Sequence, residues 1–89
     1  MPLRIRTVRY QPRFEHHRLE LRARVPRLEQ ILDGLEWLIA RSPEHCPIVW
    51  GTMLRYAMSD AFPGAPQVVV IFTIEDGDQV CHVRDLWTR

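Results

Sequence analysis

The chain has 89 residues, of which 46% are apolar and 26% are charged, and its formal net charge is +1. This length and composition are typical of a single globular domain with one modest core, so we treat residues 1–89 as one domain. No run approaches the ~18 apolar residues of a membrane span, and two cysteines do not make a disulfide framework. We therefore expect a reduced, cytoplasmic protein with no membrane partner.

Charge is distributed unevenly along the chain. Residues 1–27 hold eight Arg and two Glu, a net charge of +6, whereas residues 28–89 hold four Arg and nine acidic residues, a net charge of −5. A basic segment of this kind can attract phosphate or an acidic protein partner. The alternative is a solvated arginine face on a strand and a helix.

The first half of the chain predicts one strand and two helices. Residues 3–10 alternate apolar and polar side chains, which is typical of a half-buried strand, and Pro12 ends it. Residues 14–24 are rich in long, unbranched side chains that favour a helix. Residues 28–41 carry one apolar stripe at helical spacing, formed by Leu28, Ile31, Leu32, Leu35, Leu38 and Ile39.

The second half predicts three strands. Residues 52–59 alternate as a strand, and residues 68–74 and 79–87 flank an Asp-Gly turn, which is a strong hairpin signal. The predicted element order is therefore β-α-α-β-β-β. We expect an α+β fold in which a two-helix hairpin packs on one face of an antiparallel sheet.

Two helices can cover only one face of this predicted sheet. The strand at residues 68–74 is apolar on both sides, so directing Val70 and Phe72 to the helices directs Val69 and Ile71 to the uncovered face. An exposed apolar patch usually marks a partner site. The candidate partner-binding residues on this face are Met53, Val69 and Ile71.

The same alternation predicts two arginines and one histidine on the uncovered face, namely Arg55, His82 and Arg84, with Thr73 and Leu86 beside them. Arginine offers charge and a fork of donors for phosphate, and histidine titrates near neutrality and can act as an acid or a base. Together they could bind RNA and assist attack of a 2′-hydroxyl on the adjacent phosphate. The alternative is a set of solvated side chains on the exterior of a strand.

No metal or cofactor is predicted. Glu15, His16 and His17 are adjacent on a helix and point in different directions. The pairs His45-Cys46 and Cys81-His82 lack the paired spacing of four ligands that a zinc site requires. The chain contains no P-loop and no dinucleotide-binding glycine motif.

Two segments and the order of the elements resemble a known family. PRLEQILDGLEWLIARSPEHCPI looks like the second helix and following loop of the RelE/ParE superfamily of bacterial type II toxins, and VVVIFTIEDGDQVCHV looks like its third strand, acidic turn and fourth strand. The resemblance covers nearly the whole chain. It implies two helices on a twisted antiparallel sheet, and a protein antitoxin that wraps the toxin and covers its active face.

The resemblance leaves two activities open. One branch of the family cleaves messenger RNA on the ribosome without a metal, which implies Arg55 and Arg84 on the phosphate and His82 as acid or base. The residues expected to contact RNA backbone are then Arg4, Arg6, Arg9 and Arg89. The alternative is a non-catalytic binding protein: a gyrase-type poison, a degenerate toxin or a homodimer subunit. Val69 favours this alternative, because it stands where the RNA-cleaving branch usually carries an arginine.

Overall fold

The structure, a computed structural model, describes residues 5–61, 63–77 and 79–89. Its elements are β1 (Thr7–Tyr10), α1 (Pro12–Arg22), α2 (Leu28–Arg41), a 3-10 turn (Pro43–His45), β2 (Arg55–Met58), β3 (Val68–Glu75) and β4 (Val80–Thr88). The predicted α+β class and element order are therefore confirmed. Among these described residues, no helix is both long enough and apolar enough to cross a membrane.

Within the described residues, four strands form one mixed sheet in the order β1-β4-β3-β2. Strands β2, β3 and β4 form the expected antiparallel meander. Strand β1 runs parallel to β4, so the expectation of an all-antiparallel sheet is wrong. A parallel pair needs a long crossover, which here comprises both helices and two strands. Alternation within a strand carries no information about its direction relative to a distant neighbour.

Both helices pack on one side of the sheet, which we call the helix face. Phe14 and Leu21 of α1 are buried there, as are Leu32, Leu35 and Ile39 of α2. The strands complete this core with Ala57, Val68, Val70, Phe72, Cys81, Val83 and Leu86. Most of the apolar stripe predicted on α2 thus forms the core side of an amphipathic helix, whereas Ile31 is only partly buried and Leu38 is 37% exposed.

The hairpin between β3 and β4 forms as predicted. Glu75 pairs with Val80 at its end, and Asp76 and Gly77 adopt φ angles of 54° and 65°. Asp tolerates this left-handed region and Gly enters it freely. Among the described residues of this turn, Glu75 and Asp76 place their carboxylates close to the start of β4.

A β-bulge in β4 changes which side chains reach each face of the sheet. The register against β3 shifts between Ile71 and Phe72, which leaves Arg84 without a residue opposite it. Val83 and Leu86 consequently both face the helices, at 1% and 2% exposure, although they are three positions apart. The prediction of Leu86 on the uncovered face is wrong, because the extra residue resets the alternation.

Strand β1 is tied to α2 by the phenol of Tyr10. The Tyr10 hydroxyl donates a hydrogen bond to Glu36 Oε1 at 2.5 Å. Burial and this carboxylate raise the pKa of Tyr10 above its ordinary value, so the hydroxyl stays a donor at every physiological pH. The contact fixes the edge strand that carries Arg9.

Candidate functional site

The sheet face opposite the helices, here called the outer face, is the surface that the sequence predicted to be uncovered. Strand register places Arg9 of β1 on this face, with Tyr56 and Met58 of β2, Val69, Ile71 and Thr73 of β3, and His82 and Trp87 of β4. Arg84, which has no register partner, is placed there by the hydrogen bond from its Nε to Thr73 Oγ1 at 3.0 Å. The polar members gather at the end near the β3–β4 turn, and the apolar members gather at the other end.

The apolar middle of the outer face is not open to solvent. Val69 and Ile71 are 6% and 4% exposed, so the expectation that they form an uncovered patch is wrong. In register, Val69 lies between Met58 and Trp87, and long side chains on neighbouring strands shield a short one on the central strand. Partner binding by Val69 and Ile71 stays a prediction, and Trp87, 46% exposed, is the more accessible contact.

Arg55 and Met53 do not lie on the outer face. Arg55 is opposite Phe72 of the helix face, and its Nη1 donates to the backbone oxygens of Glu44 and Cys46 at 3.2 and 2.9 Å. Met53 precedes β2 and is 85% exposed. Both alternating sets of residues 52–59 contain apolar side chains, so hydrophobicity could not tell which set faces the core. The structure separates Arg55 from the other two residues predicted to be catalytic.

We expect Arg55→Ala to lower the free energy of unfolding by about 1 kcal/mol, because two backbone carbonyls lose their donor. Urea unfolding followed by circular dichroism measures the change. Arg24→Ala is the matched control, since Arg24 is exposed and is absent from the ion pairs among the described residues. Equal unfolding midpoints for the two variants would contradict this structural role.

His82 is held at the polar end by contacts to both of its ring nitrogens. Its Nδ1 lies 3.2 Å from Gln11 Nε2, and because that amide donates, the ring proton is carried by Nε2. Nε2 lies 3.7 Å from Asp76 Oδ2 and 4.0 Å from Glu75 Oε2. An imidazole held in this way presents one N–H at the surface, as a hydrogen-bond donor.

Two donors converge on one carboxylate oxygen beside this ring. Glu75 Oε2 accepts hydrogen bonds from the Thr73 hydroxyl at 2.7 Å and from Arg84 Nη2 at 2.6 Å, while Arg84 Nε donates to Thr73 Oγ1 at 3.0 Å. The hydrogen bond from Thr73 and the charge of Arg84 hold the pKa of Glu75 below its ordinary value. We call Thr73, His82 and Arg84 the anion cradle.

Arg9 is the cation that the sheet topology adds to the polar end. It pairs with His82 in the parallel register, it is exposed, and it is absent from the ion pairs among the described residues. Strand β1 thus supplies an arginine beside His82.

The other arginines predicted to contact RNA lie elsewhere. Arg4 is outside the described residues. Arg6 is 9% exposed, and its guanidinium pairs with Glu44 at 2.8 Å and donates to the Arg41 backbone oxygen at 3.2 Å. Arg89 follows β4 at the end of the outer face farthest from His82. RNA contact by these three arginines stays a prediction.

A second polar cluster lies at the bulge, on the side of α1. Asp85 accepts from His17 Nδ1 at 2.5 Å, from Arg13 Nε at 3.1 Å and from the Leu86 backbone N–H at 2.8 Å. Its carboxylate is 16% exposed. These contacts join α1 to β4, so the cluster positions the bulge that turns Arg84 outward.

The cysteines and histidines are not arranged as a metal site. Cys81 faces the core at 0% exposure, whereas His82 is on the outer face. Burial raises the pKa of the Cys46 thiol, which therefore stays protonated near neutrality. In the part of the chain that the structure describes, no three His, Cys, Asp or Glu side chains are grouped as a metal ion requires.

No protein-family model matches the chain, and a search of the curated proteins finds no match.

Proposed function

We propose that this chain is a RelE/ParE-like toxin that cleaves messenger RNA on the ribosome at the polar end of its outer face. One observation carries the proposal: His82, fixed by Gln11, lies between Arg9 and Arg84 on a face that the helices leave free. This arrangement supplies an acid–base group and two cations for a phosphate. The element order also agrees with the resemblance.

Cleavage of RNA by its own 2′-hydroxyl requires few protein groups beyond these three. The 2′-oxygen attacks the adjacent phosphorus, the bond from phosphorus to the 5′-oxygen breaks, and a 2′,3′-cyclic phosphate and a 5′-hydroxyl result. The imidazolium form of His82, with the Gln11 amide turned so that its oxygen accepts from Nδ1–H, donates the Nε2 proton to the departing 5′-oxygen and becomes a neutral imidazole, and water accepts the proton of the 2′-hydroxyl. Arg9 and Arg84 bind the non-bridging oxygens, on which negative charge rises in the transition state.

A protein antitoxin is the partner that this proposal requires. Trp87 stands in register with Val69 at the apolar end of the outer face and is 46% exposed. Partly exposed aromatic side chains of this kind commonly anchor interfaces. An antitoxin bound over Trp87 would extend across the sheet and close the polar end to RNA.

A non-catalytic binding protein is the second candidate: a gyrase-type poison, a degenerate toxin or a homodimer subunit. The contact between Glu75 and Arg84 at 2.6 Å favours it, because a phosphate has to displace a carboxylate before it reaches Arg84. In this case the apolar end around Trp87 is the partner-binding surface, and His82 is not required for binding.

Cleavage of messenger RNA during in-vitro translation, mapped by primer extension, distinguishes the two candidates. The nuclease proposal expects ribosome-dependent cuts by the wild type and by Trp87→Ala, and none by His82→Ala. Intact messenger with all three proteins would overturn it. The second candidate would then be tested by the loss of partner binding in Trp87→Ala and its retention in His82→Ala.

A further inference from the structure

We propose that the anion cradle is a phosphate-binding site that Glu75 occupies in the free protein, so that this carboxylate limits the affinity for RNA. The involvement of RNA rests on the proposed function, whereas the anion site does not. The ligand class is the anionic oxygen of a phosphate, either inorganic or in a phosphodiester.

The geometry of Glu75 Oε2 carries this inference. That single oxygen accepts from Thr73 Oγ1 and Arg84 Nη2 at 2.7 and 2.6 Å, and His82 Nε2 lies 4.0 Å away. A hydroxyl, a guanidinium and an imidazole around one anionic oxygen form the donor set that proteins use for phosphate. The position is chemically a phosphate oxygen site filled by a side chain of the same protein.

Glu75 is able to leave this position. Its side chain is 43% exposed and lies at the end of β3, next to the turn. The donors stay in place without it, because Arg84 Nε also donates to Thr73 at 3.0 Å and Gln11 holds the His82 ring. A phosphate can therefore exchange with the carboxylate while the cradle keeps its shape.

Arg9 gives an incoming phosphate an advantage over Glu75. It lies beside His82 on β1 and is absent from the ion pairs among the described residues, so its charge is still to be paired. A phosphodiester has a second non-bridging oxygen that can reach this arginine, whereas Glu75 is already committed to Thr73 and Arg84. When a phosphodiester replaces Glu75, Arg9 is paired as well as Arg84, so one more cation is paired than in the free protein.

Neutralising Glu75 tests the inference. Glu75→Gln should bind a short, fluorescein-labelled single-stranded RNA about tenfold more tightly than the wild type, since a negative charge within a few ångströms of the phosphate is removed. The plot of log affinity against log salt should also steepen by about 0.7, the slope of one further phosphate contact on a single strand. Inorganic phosphate, followed by the ¹H–¹⁵N shifts of the His82 ring, should bind more tightly to the same variant.

Two controls separate a local effect from a global one. Glu20→Gln makes the same change in net charge on α1, where Glu20 pairs with His16 on the other side of the sheet, and should leave RNA affinity unchanged. Glu75→Gln combined with Arg84→Gln should lose the whole gain. Equal gains in Glu75→Gln and Glu20→Gln, or no gain in Glu75→Gln, would overturn the inference.

The outcome is distinguishable from that of the proposed function. Ribosome-dependent cleavage by the wild type, together with unchanged RNA affinity in Glu75→Gln, would overturn the proposed anion site and support the proposed nuclease activity. Tighter binding of phosphate and RNA by Glu75→Gln, with no cleavage by the wild type or any variant, would establish the anion site and overturn the proposed nuclease activity.

Discussion

Replacing Phe72 with alanine is expected to lower the free energy of unfolding by about 3–5 kcal/mol. Phe72 is 0% exposed on the helix face of β3, the strand that lies between β2 and β4. Removing the ring leaves a cavity beneath the two helices, and the flanking strands prevent the sheet from collapsing into it. A domain of 89 residues has a total stability of about 4–13 kcal/mol, so this variant should be close to unfolding.

Urea unfolding followed by far-ultraviolet circular dichroism measures this loss as a lower midpoint with an unchanged slope. Trp50→Ala is the matched control, because it removes a larger aromatic side chain that is 95% exposed and should change stability by no more than about 0.5 kcal/mol. A Phe72→Ala midpoint equal to that of Trp50→Ala would contradict the assignment of Phe72 to the core.

His82→Gln is expected to slow RNA cleavage by about 10²–10⁴-fold, the usual contribution of a general acid or base. Glutamine can still hydrogen-bond to Gln11, but it neither gives nor takes a proton near neutrality. Because His82 is 21% exposed on the outer face, we expect the fold to persist.

His16→Gln is the matched control for this prediction. His16 is 70% exposed and pairs with Glu20 on α1, away from the outer face. It should leave the cleavage rate within about threefold of the wild type, as expected of a residue outside the catalytic constellation. A His82→Gln protein that cleaves at the wild-type rate would exclude His82 as the proton donor.

The amino-acid sequence predicts those elements of the fold that depend only on a local pattern of residues. The stripe on α2 needs only helical spacing, and the hairpin between β3 and β4 needs only an Asp-Gly turn between two apolar runs. The parallel pairing of β1 with β4 depends on a crossover of most of the chain. No local pattern encodes it, so the neighbourhood of Arg9 and His82 could not be foreseen.

The candidate site shows the same division. His82, Arg84 and Thr73 follow from alternation along the hairpin, and Glu75 continues the series, so its place beside them could have been read from the strand. The position of Gln11 beside His82 could not be predicted, because it depends on the pairing of β1 with β4. The bulge that buries Leu86 cannot be recognised from the amino-acid composition of β4. Arg55 was assigned to the wrong face because its strand is apolar on both sides.

Titration of the ¹⁵N-labelled protein with a short single-stranded RNA, followed by ¹H–¹⁵N correlation spectra, tests most directly whether the outer face meets RNA. The account predicts that the largest shifts fall on Arg9, His82 and Arg84 and fade with added salt, while α1 and α2 stay unchanged. Shifts confined to the arginines of α1, or no shifts at any residue, would contradict it.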